Sequence, residues 1–110
     1  MVALSSSAPP TLVTGATGFL GSHLLERLLA EGRRLTIVSR RPQPHLVARG
    51  VRVVVGALHA PTVCAAAVAG AATVFHVAAR VGVWGRAADF HRDNVEATET
   101  LVASARAAGV

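Results

Sequence analysis

Between Thr11 and Leu29 the chain reads TLVTGATGFLGSHLLERLL, with glycines at 15, 18 and 21. Glycines at the point where an apolar run gives way to a leucine stripe suit the holding of an anion against the main chain. A tight turn needs a residue free of Cβ constraints, a pyrophosphate must approach the backbone closely, and a helix must pack tightly on its strand. Gly15, Gly18 and Gly21 meet these demands. The N–H groups at the helix start, near Phe19 and Leu20, would then hold the phosphate with help from the helix dipole. The alternative is a glycine-rich turn with no ligand. Context favours a dinucleotide, because the glycines follow a strand pattern, open a leucine-striped helix and lie in a βαβ unit.

A second group stands at the end of the next β-branched run. About 20 residues past such glycines, a chain that binds NAD places an acid to accept from the ribose 2′-hydroxyl. Here the residues are Ser39, Arg40 and Arg41. A guanidinium pair matches a 2′-phosphate through charge-assisted bonds, so the expected cofactor is NADP, with NAD possible. The other reading of Arg40 and Arg41 is a solvated surface pair.

These residues require a particular set of elements. Thr11–Thr14 form a strand, Leu20, Leu24, Leu25, Leu28 and Leu29 stripe a helix, and Gly32 stops it. Strands are expected at Leu35–Ser39, Val51–Val55 and Thr73–Ala79, with one helical turn in the polar connection before Val51. Pro61 and Gly70 bracket a short helix, and Asp89–Ala108 carry a longer one striped by Phe90, Ala97, Leu101 and Ala105 and closed by Gly109. The order β-α-β-(α)-β-α-β-α predicts an α/β fold, a Rossmann-type doubly wound parallel sheet with right-handed crossovers. Ending on a helix where a strand would follow, the sequence reads as an N-terminal half, with residues 1–10 a loose leader and 11–110 the dinucleotide-binding domain.

Composition narrows the function classes. The chain has 110 residues, 52% of them hydrophobic and 15% charged, which suits one globular domain. All eleven basic residues are arginines and the net charge is +5, favouring phosphate-bearing partners. The arginines are scattered and Trp84 is the sole tryptophan, so nucleic acid is not the expected partner. One cysteine, Cys64, excludes an internal disulfide and a zinc cluster, and the histidines show no metal-ligand spacing. A cytoplasmic protein without a secretion signal or membrane span is expected. His76 is expected to be structural and Cys64 buried and inert.

TGATGFLG, in the spacing T-G-x-x-G-x-x-G, resembles the short-chain dehydrogenase/reductase superfamily. VFHVAARVGVWG is similar to the H-x-A-A strand end of its extended branch, the NAD(P)-dependent epimerase/dehydratase family, and DNVEATETLVASARAAGV to that family's N-V-x-G-T helix. VGVWG is nearest to the 3β-hydroxysteroid dehydrogenase and dihydroflavonol-reductase-like members. The resemblance implies pyrophosphate contacts at Gly15, Gly18, Phe19 and Leu20, with Leu58 beside the adenine. It also implies Val77, Ala78 and Ala79 along the nicotinamide half, and Asn94 organising the site. Gly56-Ala57-Leu58 departs from the family's Gly-Asp-Leu, and Ala60-Pro61 from its Asp-Pro helix start, which removes an adenine acceptor and an N-cap.

Family members use a Tyr-x-x-x-Lys pair as acid/base, yet this chain has neither Tyr nor Lys. The expectation is the cofactor-binding part of an extended short-chain oxidoreductase or epimerase, inactive alone. A non-catalytic NADP sensor and a remnant without function are the alternatives. With no fifth strand over Thr73–Ala79, self-association through that edge is expected.

Overall fold

Four short runs rich in Val, Leu, Ile and Thr become parallel strands in the computed structural model, which describes residues 9–82 and 84–110. Val83 and most of the expected leader lie outside the described residues. The strands are β1 (Thr11–Thr14), β2 (Leu35–Ser39), β3 (Arg52–Val55) and β4 (Thr73–His76). Their order in the sheet is β3-β2-β1-β4. Register runs Val13 to Ile37 and to Phe75, and Ile37 to Val53. The switch in direction of winding falls between β1 and β4, where an open α/β sheet forms its ligand crevice.

Alternation along the central strands explains the two layers of helix. Successive side chains leave a strand on opposite faces. Val13 and Ile37 pack with Leu25 and Leu28 of α1 (Phe19–Ala30) and Leu46 of α2 (Pro44–Ala48). Leu12 packs on the other face with Cys64, Ala67 and Val68 of α3 (Pro61–Val68) and Leu101 of α5 (Ala97–Ala107). Strand β1 is buried along its whole length, and β2 nearly so, as strands covered on both faces must be. This is the Rossmann-type doubly wound sheet that the order of elements predicts.

Helix ends follow local chemistry. Gly32 takes φ +76° just after α1 and Gly109 φ +78° after α5, the left-handed stop that a Cβ would strain. Pro61 opens α3, but its N-cap Ala60 makes no side-chain bond to the helix.

Strand β3 starts at Arg52 rather than Val51 and the last helix ends at Ala107 rather than Ala108, and two expected boundaries move further. Strand β4 ends at His76 rather than Ala79, because the N–H groups of Val77 and Ala78 turn to the Thr14 hydroxyl instead of a neighbouring strand. The helix expected over 89–108 starts earlier, as α4 (Ala87–Phe90), and passes through a π-helical segment, His91–Glu96, before α5. Backbone angles stay helical across both junctions, so this is one rod with a widened middle. Asp93 and Asn94 sit in that widened segment.

Candidate functional site

The three glycines have different physical reasons. Gly15 follows β1 at φ +70°, and a Cβ there would lie 2.6 Å from the Ala78 nitrogen, so the close passage of the chain after β4 demands glycine. Gly21 is buried in the first turns of α1, and its Cβ would overlap the Gly15 carbonyl oxygen. Gly18 differs. It is the N-cap of α1, extended at φ −82°, and the nearest atom to an added Cβ is the Gly15 oxygen at 3.4 Å, an ordinary contact. The fold therefore requires glycine at 15 and 21 and tolerates a side chain at 18.

Helix α1 begins without a side-chain cap and without an acid in its first turn. The Gly18 N–H donates to Gly15 O at 3.1 Å and Ser22 N–H to Gly18 O at 2.8 Å. The N–H groups of Phe19, Leu20 and Gly21 have no intrahelical acceptor, as at any helix start. The side chains of Phe19 and Leu20 are exposed, 86% and 66%. Their contribution to a site is their main chain.

A hydrogen-bonded chain fixes the floor beside this turn. Asn94 grips the backbone of Arg80 at both ends, accepting from its N–H at 2.7 Å and donating to its carbonyl at 2.9 Å. Thr98 donates to Asn94 O at 2.7 Å and so must accept from His76 Nε2, 2.8 Å away. That assigns the proton of a neutral His76 to Nε2 and leaves Nδ1 to accept from the Thr14 hydroxyl at 2.7 Å. Thr14 Oγ1 then accepts from the Val77 and Ala78 N–H groups at 3.0 and 3.1 Å. Every proton in the chain has one place.

Protonation of His76 breaks this arithmetic. A proton on Nδ1 would face an oxygen already holding two N–H donors and its own hydrogen. Although His76 is exposed at the end of β4, its ring is partly desolvated between Thr14 and Thr98, and this lowers its pKa below the ordinary 6.5, so the unfolded chain takes up the proton first. Stability linked to His76 is complete above the ordinary value and is lost as pH falls through the lowered one. Melting temperature should therefore fall more steeply between about pH 7.5 and about pH 5 in the native chain than in His76→Gln. Equal slopes would remove the role given to His76.

A cleft of about 460 Å³ runs along the strand ends. Its lining is Thr14, Gly15 and Thr17 at the turn, Val38 to Arg41 and Gln43 at the end of β2, and Gly56, Leu58 and His59 after β3. Ala78 to Arg80 follow from β4, with Asp93 and Ala97 from the long rod. The structure thus gathers Gly15, Arg40, Arg41, Leu58, Ala78 and Ala79 of the residues expected from sequence. Gly18, Phe19, Leu20 and Gly21 adjoin it as the start of α1, while Val77 and Asn94 do not line it and are tied to residues that do, Thr14 and Arg80. Cys64 is fully buried and donates to Leu58 O at 2.8 Å, and burial raises its thiol pKa.

Two features of the site carry no signal in the sequence. Ser39 Oγ accepts from the Arg41 N–H and from Gln43 Nε2, both at 3.2 Å, so its position is set for its own proton to point elsewhere. Arg40 is also opposed from a distance, since Asp93 accepts from its Nη2 at 3.2 Å across 53 residues of sequence. No spacing rule connects those two segments. Among the described residues no cluster suits a metal ion, and no helix is long and apolar enough to cross a membrane.

Comparison with known proteins agrees with this fold. Residues 11–110 match the model of the NAD dependent epimerase/dehydratase family. The chain is 38% identical over 99 residues to a 2-alkyl-3-oxoalkanoate reductase of Stenotrophomonas maltophilia, covering 90% of this chain and 30% of that protein. It is 37% identical over 106 residues to a 3-beta-hydroxysteroid dehydrogenase of Mycolicibacterium neoaurum, covering 90% and 29%. A solved short-chain dehydrogenase/reductase superfamily protein from Agrobacterium tumefaciens, with bound NAD, superposes with a TM-score of 0.79 at 32% identity, over 92% of this chain and 30% of that one. The chain thus spans about 30% of the length of the curated relatives it matches. With the match running from the first strand through the long helical rod, the chain belongs to the NAD dependent epimerase/dehydratase family.

Proposed function

We propose that the cleft binds a nicotinamide dinucleotide, NADP in preference to NAD. One observation carries the reading. Gly18 lacks a side chain that the fold leaves room for, at the uncapped start of a helix beside the cleft. A bare N-cap with three unpaired N–H groups suits a pyrophosphate, whose charge the helix dipole stabilises by about 0.3–1 kcal/mol. The cleft volume also falls in the range that accepts small-molecule ligands, about 300–1,000 Å³.

The donor set fits the group. Gly15 and Gly18 and the N–H groups of Phe19 and Leu20 hold the pyrophosphate, while Gly21 lets α1 sit close to the turn. Leu58 offers an apolar wall to the adenine. Ala78 and Ala79 leave space for the nicotinamide half, and Val77 next to them is held by its N–H bond to the Thr14 hydroxyl. Asn94 is a positioning residue, acting through the Arg80 backbone. Arg41 and Arg40 flank the ribose and supply positive charge to a 2′-phosphate. When bound, the dinucleotide supplies hydride transfer. These residues bind and orient it, and with no Tyr or Lys among the 110 residues the chain by itself has no acid/base pair of the family type and turns over no substrate. Its part is the cofactor-holding portion of an oxidoreductase or epimerase.

Calorimetric titration with NADP and with NAD tests the preference. The native chain should bind NADP more tightly, and Arg41→Ala should weaken NADP by about tenfold, the worth of one charge-assisted bond, while moving NAD less. Equal affinities for both nucleotides would sink the NADP assignment.

A further inference from the structure

Asp93 has no place among the roles above, yet its carboxylate is only 9% exposed and receives three guanidinium groups. Arg40 Nη2 and Arg92 Nε lie 3.2 and 3.1 Å from Oδ1, and Arg80 Nη1 lies 3.2 Å from Oδ2. The three arginines are not equally held. Arg92 also pairs with Asp89 at 3.2 Å, and the Arg80 guanidinium lies 5.3 Å from the centre of the Phe90 ring. Arg40 is 64% exposed, and Asp93 is its one acceptor among the described residues. It comes from the end of β2, whereas Asp93 comes from the π-helical segment, and both line the cleft. Their ion pair therefore links two of its walls.

We infer that Asp93 is a specificity-determining residue, an internal anion that holds Arg40 and competes with the 2′-phosphate of NADP for that guanidinium. The inference rests on the dinucleotide reading of the cleft and adds to it the element that sets the NADP to NAD ratio. A ribose 2′-hydroxyl is neutral and leaves the Arg40–Asp93 pair in place. A 2′-phosphate must share Arg40 with Asp93 or draw it away, and in either case lies near a carboxylate that repels it. Both effects lower the advantage of NADP while leaving NAD largely indifferent. Hydrogen bonding by Arg92, then by Arg80, holds the Asp93 carboxyl below the usual carboxylate range, so the competing charge persists at neutral pH.

Asp93→Asn keeps the size of the side chain and one acceptor oxygen but removes its charge. Titration of both proteins with NADP and NAD should show the affinity ratio rising in favour of NADP by about tenfold, the equivalent of one charge-assisted hydrogen bond. Arg40→Gln placed in Asp93→Asn should take that gain back. An unchanged or lowered ratio overturns the inference, because a merely structural Asp93 would weaken both nucleotides together. A second comparison serves if Asp93→Asn does not fold. In the otherwise native chain Arg40→Gln should lower the ratio less than Arg41→Gln, since Asp93 already holds Arg40, and a larger loss at Arg40 overturns it. A native chain that binds neither nucleotide refutes the cleft reading and this inference with it. Binding with no response at residue 93 refutes the inference alone.

Discussion

Gly21→Ala is expected to destabilise the chain by about 3 kcal/mol, the upper part of the usual range for overpacking a core. Helix propensity alone gives the opposite sign, because Ala in place of Gly inside a helix gains about 1 kcal/mol. The clash decides. An alanine Cβ at 21 would overlap the carbonyl oxygen of Gly15, a backbone atom that cannot step aside, since its own residue is held at φ +70° against Ala78. Either α1 lifts from the sheet, opening the packing of Leu25 and Leu28, or the turn deforms. Urea denaturation of the two proteins measures the difference, and a more stable Gly21→Ala would show that the helix does not pack on this turn.

Gly18→Asp should move stability and binding in opposite directions. An aspartate at the N-cap accepts from the first-turn N–H groups and complements the helix dipole, for a gain of a few tenths to about 1 kcal/mol. Nothing in the fold opposes it, because the backbone there is extended and the nearest atom to a Cβ is 3.4 Å away. The same carboxylate would cap the N–H groups assigned to the pyrophosphate and repel its charge. Dinucleotide affinity should drop on the order of a hundredfold or more, because like charges about 4 Å apart in a partly buried site repel by several kcal/mol. A variant that melts higher and still binds as tightly would remove the phosphate from the start of α1.

What the sequence makes legible is local. The glycine turn, the leucine stripe of α1 and the Val and Ile runs each state an element through spacing and residue type, and their alternation implies a parallel sheet covered by helices. The strand end at His76 was not legible, because it depends on the Thr14 hydroxyl drawing two N–H groups away from the ladder, a contact across 63 and 64 residues. The π-helical segment was hidden for a similar reason. His91–Glu96 reads as ordinary helix, and only the grip of Asn94 on the Arg80 backbone shows what the wider turn positions. Arg40 is the clearest case. Beside Arg41 in sequence it is one of a pair of unopposed cations, whereas in the fold Asp93 opposes it from another segment. The glycines were legible as a set but not individually, since Cβ clearances separate the two that the fold requires from the one it does not.

The central claim is that a nicotinamide dinucleotide lies with its pyrophosphate on the N-terminus of α1. Titration of ¹⁵N-labelled native chain with NADP, read by amide shifts, tests it directly. Saturable shifts are expected at Phe19, Leu20 and Gly21, titrating together with Ser39 and Arg41 and disappearing in Gly18→Asp. Saturable shifts confined to the opposite end of the sheet, around Arg34 and Arg52, with the amides of α1 unmoved, would contradict it.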